Sequence, residues 1–233
     1  MAKRQTEQPR ISVNKLAEFM TAKAARQRQI LRDQKYPTDF KGVYYKEAGD
    51  AIAQSVASNL ENFDSIDRAI RLLEQTTTTK IGTQRRLDFN IDALETFRSM
   101  VDSIDLKSST PSLAPNTAPR LTVQNVEISV RPEIILRADG RLGPLVGAVK
   151  LHFPRTFSIN EESAGYLSAI LQEWCKINLA DDGAVSGAHC FVIDIGASKQ
   201  CVAVKSTAAR MKEVAAVCQN IAALWPAITP SAE

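Results

Sequence analysis

Val126–Phe153, VEISVRPEIILRADGRLGPLVGAVKLHF, is the stretch around which the rest of the chain is organised. Val126, Ile128 and Val130 alternate with Glu127, Ser129 and Arg131, the period of a strand with one apolar face. Asp139-Gly140 signals a turn, and Gly143-Pro144 adds a second break. Val146–Phe153 reads as a second strand. Ala148, Lys150 and His152 share one of its faces; Gly147, Val149, Leu151 and Phe153 share the other. Pairing of the two strands is expected to bring Glu133, just after Pro132, near Lys150. A carboxylate and a lysine so placed can hold a divalent metal and a phosphate together. An unpaired charge on a half-buried strand face is unfavourable, so Lys150 needs a reason to be there.

Downstream, Ser158–Glu161 fits a capping box, opening a helix that buries Leu167, Ile170, Leu171 and Trp174. Asp181-Asp182-Gly183 is a loop. Cys190–Ile195 is a continuous apolar run around Asp194, as expected of a strand covered on both faces. A last helix, Thr207–Leu224, presents Met211, Val214, Cys218, Ile221 and Trp225 and stops at Pro226. The order β-β-α-β-α implies a parallel crossover where a helix joins two strands of one sheet.

Upstream, the pattern is helical. Residues 1–10 hold no periodic apolar residues and are expected to be disordered. Ser12 is the N-cap of a first helix carrying Val13, Leu16, Phe19 and Met20, and a second helix spans Ala24–Lys35, ended by Tyr36-Pro37. Helical spacing resumes over Tyr45–Gln75, with a break near Asn62–Asp64. Thr76–Thr79 is a loop, and Asn90 caps a further helix to Asp105. Lys107–Arg120, with three prolines, reads as a linker or long surface loop. The expected organisation is a helical, basic region over 1–106, a linker over 107–120 and an α/β domain over 121–233. The fold class is α/β: a helical N-terminal region, then a mixed β-sheet flanked by helices.

Composition sets the bounds. The 233 residues, 44% hydrophobic, suffice for a sizeable core. No run of about eighteen apolar residues is present, so no membrane span is expected. The N-terminus lacks the apolar core of a signal peptide. Four cysteines without a CxxC pair and only two histidines argue against a zinc site and for reduced thiols in the cytoplasm. The net charge of +3 is uneven. Residues 1–46 carry eleven Lys or Arg against four Asp or Glu, an excess of +7, which leaves −4 for the remainder. Such a segment can face nucleic acid or an acidic partner, or be a solvated helix surface. Arg26, Arg28 and Arg32 can meet phosphates or cover apolar surface with their stems.

A hairpin carrying P-(D/E), a strand ending in (D/E)-x-K, a helix and another strand is the layout of the PD-(D/E)XK nuclease superfamily. Over roughly residues 88–225 the chain resembles it, through Pro132-Glu133 and Ala148-Val149-Lys150. Glu162 to Tyr166 resembles the Q-x-x-x-Y of the RecB-like branch, with Glu in place of Gln. The resemblance implies Glu133 and Lys150 as catalytic residues, with Glu133 also a ligand to Mg²⁺ or Mn²⁺. Ala148 stands where the second metal carboxylate is expected, and its loss removes charge that two-metal cleavage needs. Some members move an acid to the next helix, which points to Glu161 or Glu162; others have lost catalysis and only bind.

The expected function is therefore a nuclease-like protein acting on or binding nucleic acid with a degenerate metal site. The alternative is an inactive nuclease-fold subunit serving as an adaptor or structural partner, with a protein partner or a second copy. Phage defence or DNA processing is the setting that family analogy implies. His152 reads as a hydrogen-bonded structural residue. Asp194 is expected to cap a helix, pair with Lys199 or join the site, with a structural role favoured. Tyr166, Trp174 and Trp225 read as core residues and the cysteines as buried packers.

Overall fold

The computed structural model describes residues 6–37, 44–202 and 207–230. The first five residues of the segment expected to be disordered lie outside the described residues. In chain order the elements are β1 (Arg10–Ser12), α1 (Val13–Thr21), α2 (Ala24–Lys35), α3 (Lys46–Ala57), α4 (Asp64–Gln75) and α5 (Ile81–Met100). Then follow β2 (Thr110–Leu113), β3 (Leu121–Val123), β4 (Val126–Ser129), β5 (Ile134–Gly140) and β6 (Gly143–His152). The chain continues through α6 (Glu161–Asn178), β7 (Ala184–Val185), β8 (Phe191–Asp194), β9 (Lys199–Val202) and α7 (Thr207–Leu224). The protein is α/β: N-terminal helices, then mixed sheets with α6 and α7 at their flanks. Among the described residues no helix is long and apolar enough to cross a membrane.

The main sheet runs β2-β5-β6-β8-β9, with β7 added beside β6. β5 and β6 form an antiparallel hairpin, and β8 returns parallel to β6 after α6, the crossover that the order of elements predicts. Because side chains alternate along a strand, each central strand feeds two cores. Ile135, Val146, Ala148 and Val192 point to one side, where α1, α6, α7 and a small sheet (β1-β4-β3) bury Leu16, Leu167, Trp174 and Trp225. Ile134, Leu136, Val149, Leu151, Phe191 and Ile193 point to the other, against Ile52, Leu94 and Phe97 of α3 and α5. Each such fully buried side chain contributes about 1.5–3 kcal/mol relative to an exposed one.

The deciding stretch contains three strands where alternation predicts two. β4 belongs to the small sheet, paired with β1 and β3, and is not the partner of β6. That partner is β5, whose Ile134-Ile135-Leu136 run is apolar on both faces and carries no alternation for a period-two template to find. The hairpin turn is Arg141-Leu142, two residues past the Asp139-Gly140 signal, with Gly140 and Gly143 facing each other as the last pair.

Several boundaries also differ. Residues 107–120 hold β2, an edge strand hydrogen-bonded to β5. Asn90 lies inside α5, which starts nine residues earlier at Ile81. It is buried, accepts from the Ala48 N–H (3.0 Å) and donates to the Tyr44 carbonyl (2.7 Å), so it caps α3 from a neighbouring helix. The capping box of α6 is Asn160/Ser163: Ser163 N–H donates to Asn160 Oδ1 (2.8 Å) and Asn160 N–H to Ser163 Oγ (2.9 Å). It begins two residues after the Ser158 start that spacing suggests. Ser12 does cap α1, accepting from Lys15 N–H, and α2 and α7 have the predicted limits.

Candidate functional site

The hairpin β5–β6 brings Glu133 to Lys150. Lys150 Nζ donates to Glu133 Oε1 (2.5 Å) and to the Arg131 carbonyl (2.7 Å). The second carboxylate oxygen, Oε2, accepts from the Leu151 backbone N–H (2.7 Å), and Glu133 N–H donates to Val149 O (3.0 Å). The side chains are only 12% (Lys150) and 26% (Glu133) exposed. Glu133 thus closes the start of β5 onto β6 with both oxygens engaged. Arg131 was not among the expected site residues. Its φ of +42° is left-handed backbone, which non-glycine residues seldom adopt, and a following proline pushes a residue towards extended conformations. The signal in the sequence was Arg131-Pro132 itself, but nothing local says which carbonyl Lys150 will find.

These residues do not fit a divalent-metal cage. Such an ion asks for several oxygens at once. Glu133 spends one on an ammonium and one on an amide. Ala148 is fully buried among Ile135, Val146 and Cys190 and supplies none. Glu161 and Glu162 are exposed in the first turn of α6. The charge of Glu162 acts on Tyr166, whose hydroxyl donates to Glu213 (2.5 Å); that hydrogen bond, with burial, pushes Tyr166 up to about 12. Among the described residues no group of three or more His, Cys, Asp or Glu is arranged to hold a metal.

His152, two residues beyond Lys150 on the same face, is 3% exposed. Its Nε2 faces the Phe157 carbonyl at 2.6 Å, so Nε2 carries the proton and donates. Nδ1 has no partner among the described residues. Burial pushes His152 below its ordinary value, against the Phe157 hydrogen bond and the carboxylates of Asp194 and Glu18, which favour the charged form. Asp194 is fully buried and satisfied by backbone: Oδ2 accepts from Ile159 N–H (2.7 Å) and Oδ1 from Ala197 N–H (3.1 Å). It fixes the approach to α6 and the turn after β8. Trp174 and Trp225 are core residues. All four cysteines are free and buried; burial holds Cys201 up at about 11 and Cys218 at about 12.

The basic helix α2 is less available than its composition suggests. Arg26 is held at 2.6 Å by Glu18, a buried carboxylate that Lys15 also meets at 2.6 Å. Arg32 is half-buried and its Nη1 donates to Gln29 (3.4 Å). Lys35 is buried and donates to the carbonyls of Trp225 (2.7 Å), Pro226 (3.2 Å) and Ile228 (3.0 Å), so it caps the end of the C-terminal helical segment. Arg28 is exposed. Of the three arginines expected to contact phosphate, Arg28 alone combines exposure with no ion pair among the described residues.

No protein-family model matches the chain, and comparison with curated proteins finds no match.

Proposed function

We propose that this protein binds nucleic acid on a nuclease-like α/β core and does not cut it. The observation that supports this reading is the Glu133–Lys150 pair closed on itself, beside a fully buried Ala148 where a metal carboxylate would be needed. The layout around it supports the resemblance: a hairpin carrying Pro132-Glu133 and Lys150, then a helix, then a parallel strand. Arg28 and the excess of cations over residues 1–46 are the source of phosphate contacts in this reading. Mg²⁺ or Mn²⁺ has no catalytic part in it. Four free cysteines support a reducing, cytoplasmic setting.

The test incubates the purified protein with single- and double-stranded DNA and RNA in Mg²⁺ or Mn²⁺, beside Lys150→Ala and Glu133→Ala. The expected result is salt-sensitive binding, with the logarithm of affinity falling by about 0.9 per duplex phosphate contacted for each logarithm of salt, and no cleavage. Cleavage that disappears in both variants would overturn the reading and make Glu161 and Glu162 the next ligands to test. Absence of binding to every nucleic acid would favour a second reading, an inactive nuclease-fold adaptor in a protein complex. One observation favours that second reading: Arg26 and Lys35 are committed to internal partners.

A further inference from the structure

Between β4 and β5 the chain passes from the small sheet to the main sheet within four residues, Val130–Glu133. Val130 and Pro132 are buried, and Arg131 between them is exposed. The crossing is made with Arg131 at a φ of +42°. Most other non-glycine residues with positive φ sit in pairs within turns: Asn59-Leu60, Lys107-Ser108 and Gln124-Asn125. Ser198 stands alone in the turn between β8 and β9, where its N–H donates to the Ile195 carbonyl (3.2 Å). Arg131 also stands alone, but in no hairpin turn and directly before a proline.

Such backbone persists only where the surroundings over-determine it. Burial of Val130 and Pro132 fixes the two ends of the corner. Among the described residues the main chain of Val130, Arg131 and Pro132 makes a single hydrogen bond, accepted by the Arg131 carbonyl from Lys150 Nζ (2.7 Å). The same ammonium donates to Glu133 Oε1, so it is held on both sides of Pro132. The Arg131 side chain does not hold the turn: it is exposed, with no hydrogen bond or ion pair among the described residues.

We infer that Lys150 and the Arg131-Pro132 corner form a two-position latch. With the ammonium on the Arg131 carbonyl, the corner is left-handed. Without it, Arg131 turns to the extended backbone that a residue before proline prefers. Lys150 thereby couples the β5–β6 hairpin to the join between the two sheets. Whatever draws its ammonium away moves the corner, and whatever fixes the corner holds the ammonium. The latch does not rest on the nucleic-acid reading, because no ligand takes part in it.

The test compares Arg131→Ala with Arg131→Gly, which lose the same side chain and differ in one Cβ. A Cβ is unfavourable in left-handed backbone, whereas in extended backbone glycine is the costlier residue because its unfolded chain is freer. With Lys150 in place, the unfolding equilibrium constant of Arg131→Gly in urea titrations is expected about threefold or more below that of Arg131→Ala. In the Lys150→Met background the order is expected to reverse, with Arg131→Ala the more stable by about two- to fivefold. Lys150→Gln is a second background should Lys150→Met not fold. A crystal structure of the Lys150 variant that folds is expected to show Arg131 at negative φ. Glycine favoured in both backgrounds would overturn the latch, since burial of Val130 and Pro132 alone would then impose the turn. Alanine favoured with Lys150 in place would overturn it by showing no strain to hold, and so would a positive φ at Arg131 in the Lys150 variant.

Discussion

A double-mutant cycle on Glu133 and Lys150 tests whether the pair is locked. Opposite charges about 4 Å apart attract by about 4 kcal/mol at an effective dielectric constant near 20, and desolvation offsets much of that. With both side chains mostly buried, a net coupling of about 1–3 kcal/mol is expected. The single substitutions should be unequal. Lys150→Met removes the ammonium but leaves Glu133 accepting from Leu151 N–H, at a cost of about 1 kcal/mol. Glu133→Gln keeps that acceptor but leaves a 12% exposed ammonium with the Arg131 carbonyl as its remaining partner, at about 2–3 kcal/mol. The double variant should then be close to Lys150→Met alone. Urea unfolding followed by the fluorescence of the buried Trp174 and Trp225 measures each corner of the cycle. Repeating it in 1 M salt, where screening acts over about 3 Å, separates a buried pair from a surface one. Coupling below about 0.5 kcal/mol, or coupling that vanishes in high salt, would mark an ordinary surface ion pair and remove the argument that Glu133 is unavailable to a metal.

Other perturbations follow from contacts already described. At Gly147 an added Cβ would lie 2.2 Å from the His189 carbonyl oxygen, and backbone cannot yield as a side-chain tip can; Gly147→Ala should cost about 3 kcal/mol or more and lower the melting temperature accordingly. Lys35→Met preserves the aliphatic stem but strands three carbonyls, one beside the buried Trp225; a loss of about 2–4 kcal/mol in urea unfolding is expected, and a loss under 1 would refute the capping role. For His152, burial depresses the folded value below the ordinary 6.5, so the unfolded chain takes up the proton first. Its contribution is complete above that ordinary value and is lost as pH falls through the depressed one. The urea midpoint should drop as pH falls below His152's ordinary value of 6.5, and His152→Gln should flatten that segment of the profile.

What could be read from sequence depended on the length and period of each element. α2 and α7 are long, and their limits are marked by Pro37 and Pro226, so both were legible to the residue. β1 and β9 have three and four residues, too few for any period to emerge, and both depend on a partner strand distant in sequence or on a turn. Asn90 shows the opposite failure. Its residue type suits a cap, but it lies inside α5, and the N–H it accepts from, that of Ala48 in α3, is 42 residues away in the chain. The proximity of Glu133 and Lys150 was anticipated from a pairing of Val126–Arg131 with Val146–Phe153 that does not form; the unanticipated strand β5 makes the contact instead. That Leu151 N–H and the Arg131 carbonyl complete the lock was not legible, because backbone groups are the same at every position and only the register decides which of them point at a side chain. Arg26 looked available for phosphate because composition cannot tell a free cation from one held by a neighbouring carboxylate.

The bonds from Lys35 to Trp225, Pro226 and Ile228, with the Trp225 indole donating to the Thr6 carbonyl (3.2 Å), also set a timetable. Lys35 and Trp225 are 190 residues apart. At about 5–20 residues per second, a ribosome makes Lys35 some 10–40 s before its acceptors exist. Throughout that interval the Lys35 ammonium lacks its final acceptors, although α1 and β1, against which α2 packs, are already made. This is the window in which a chaperone at the exit tunnel would find the nascent chain most exposed.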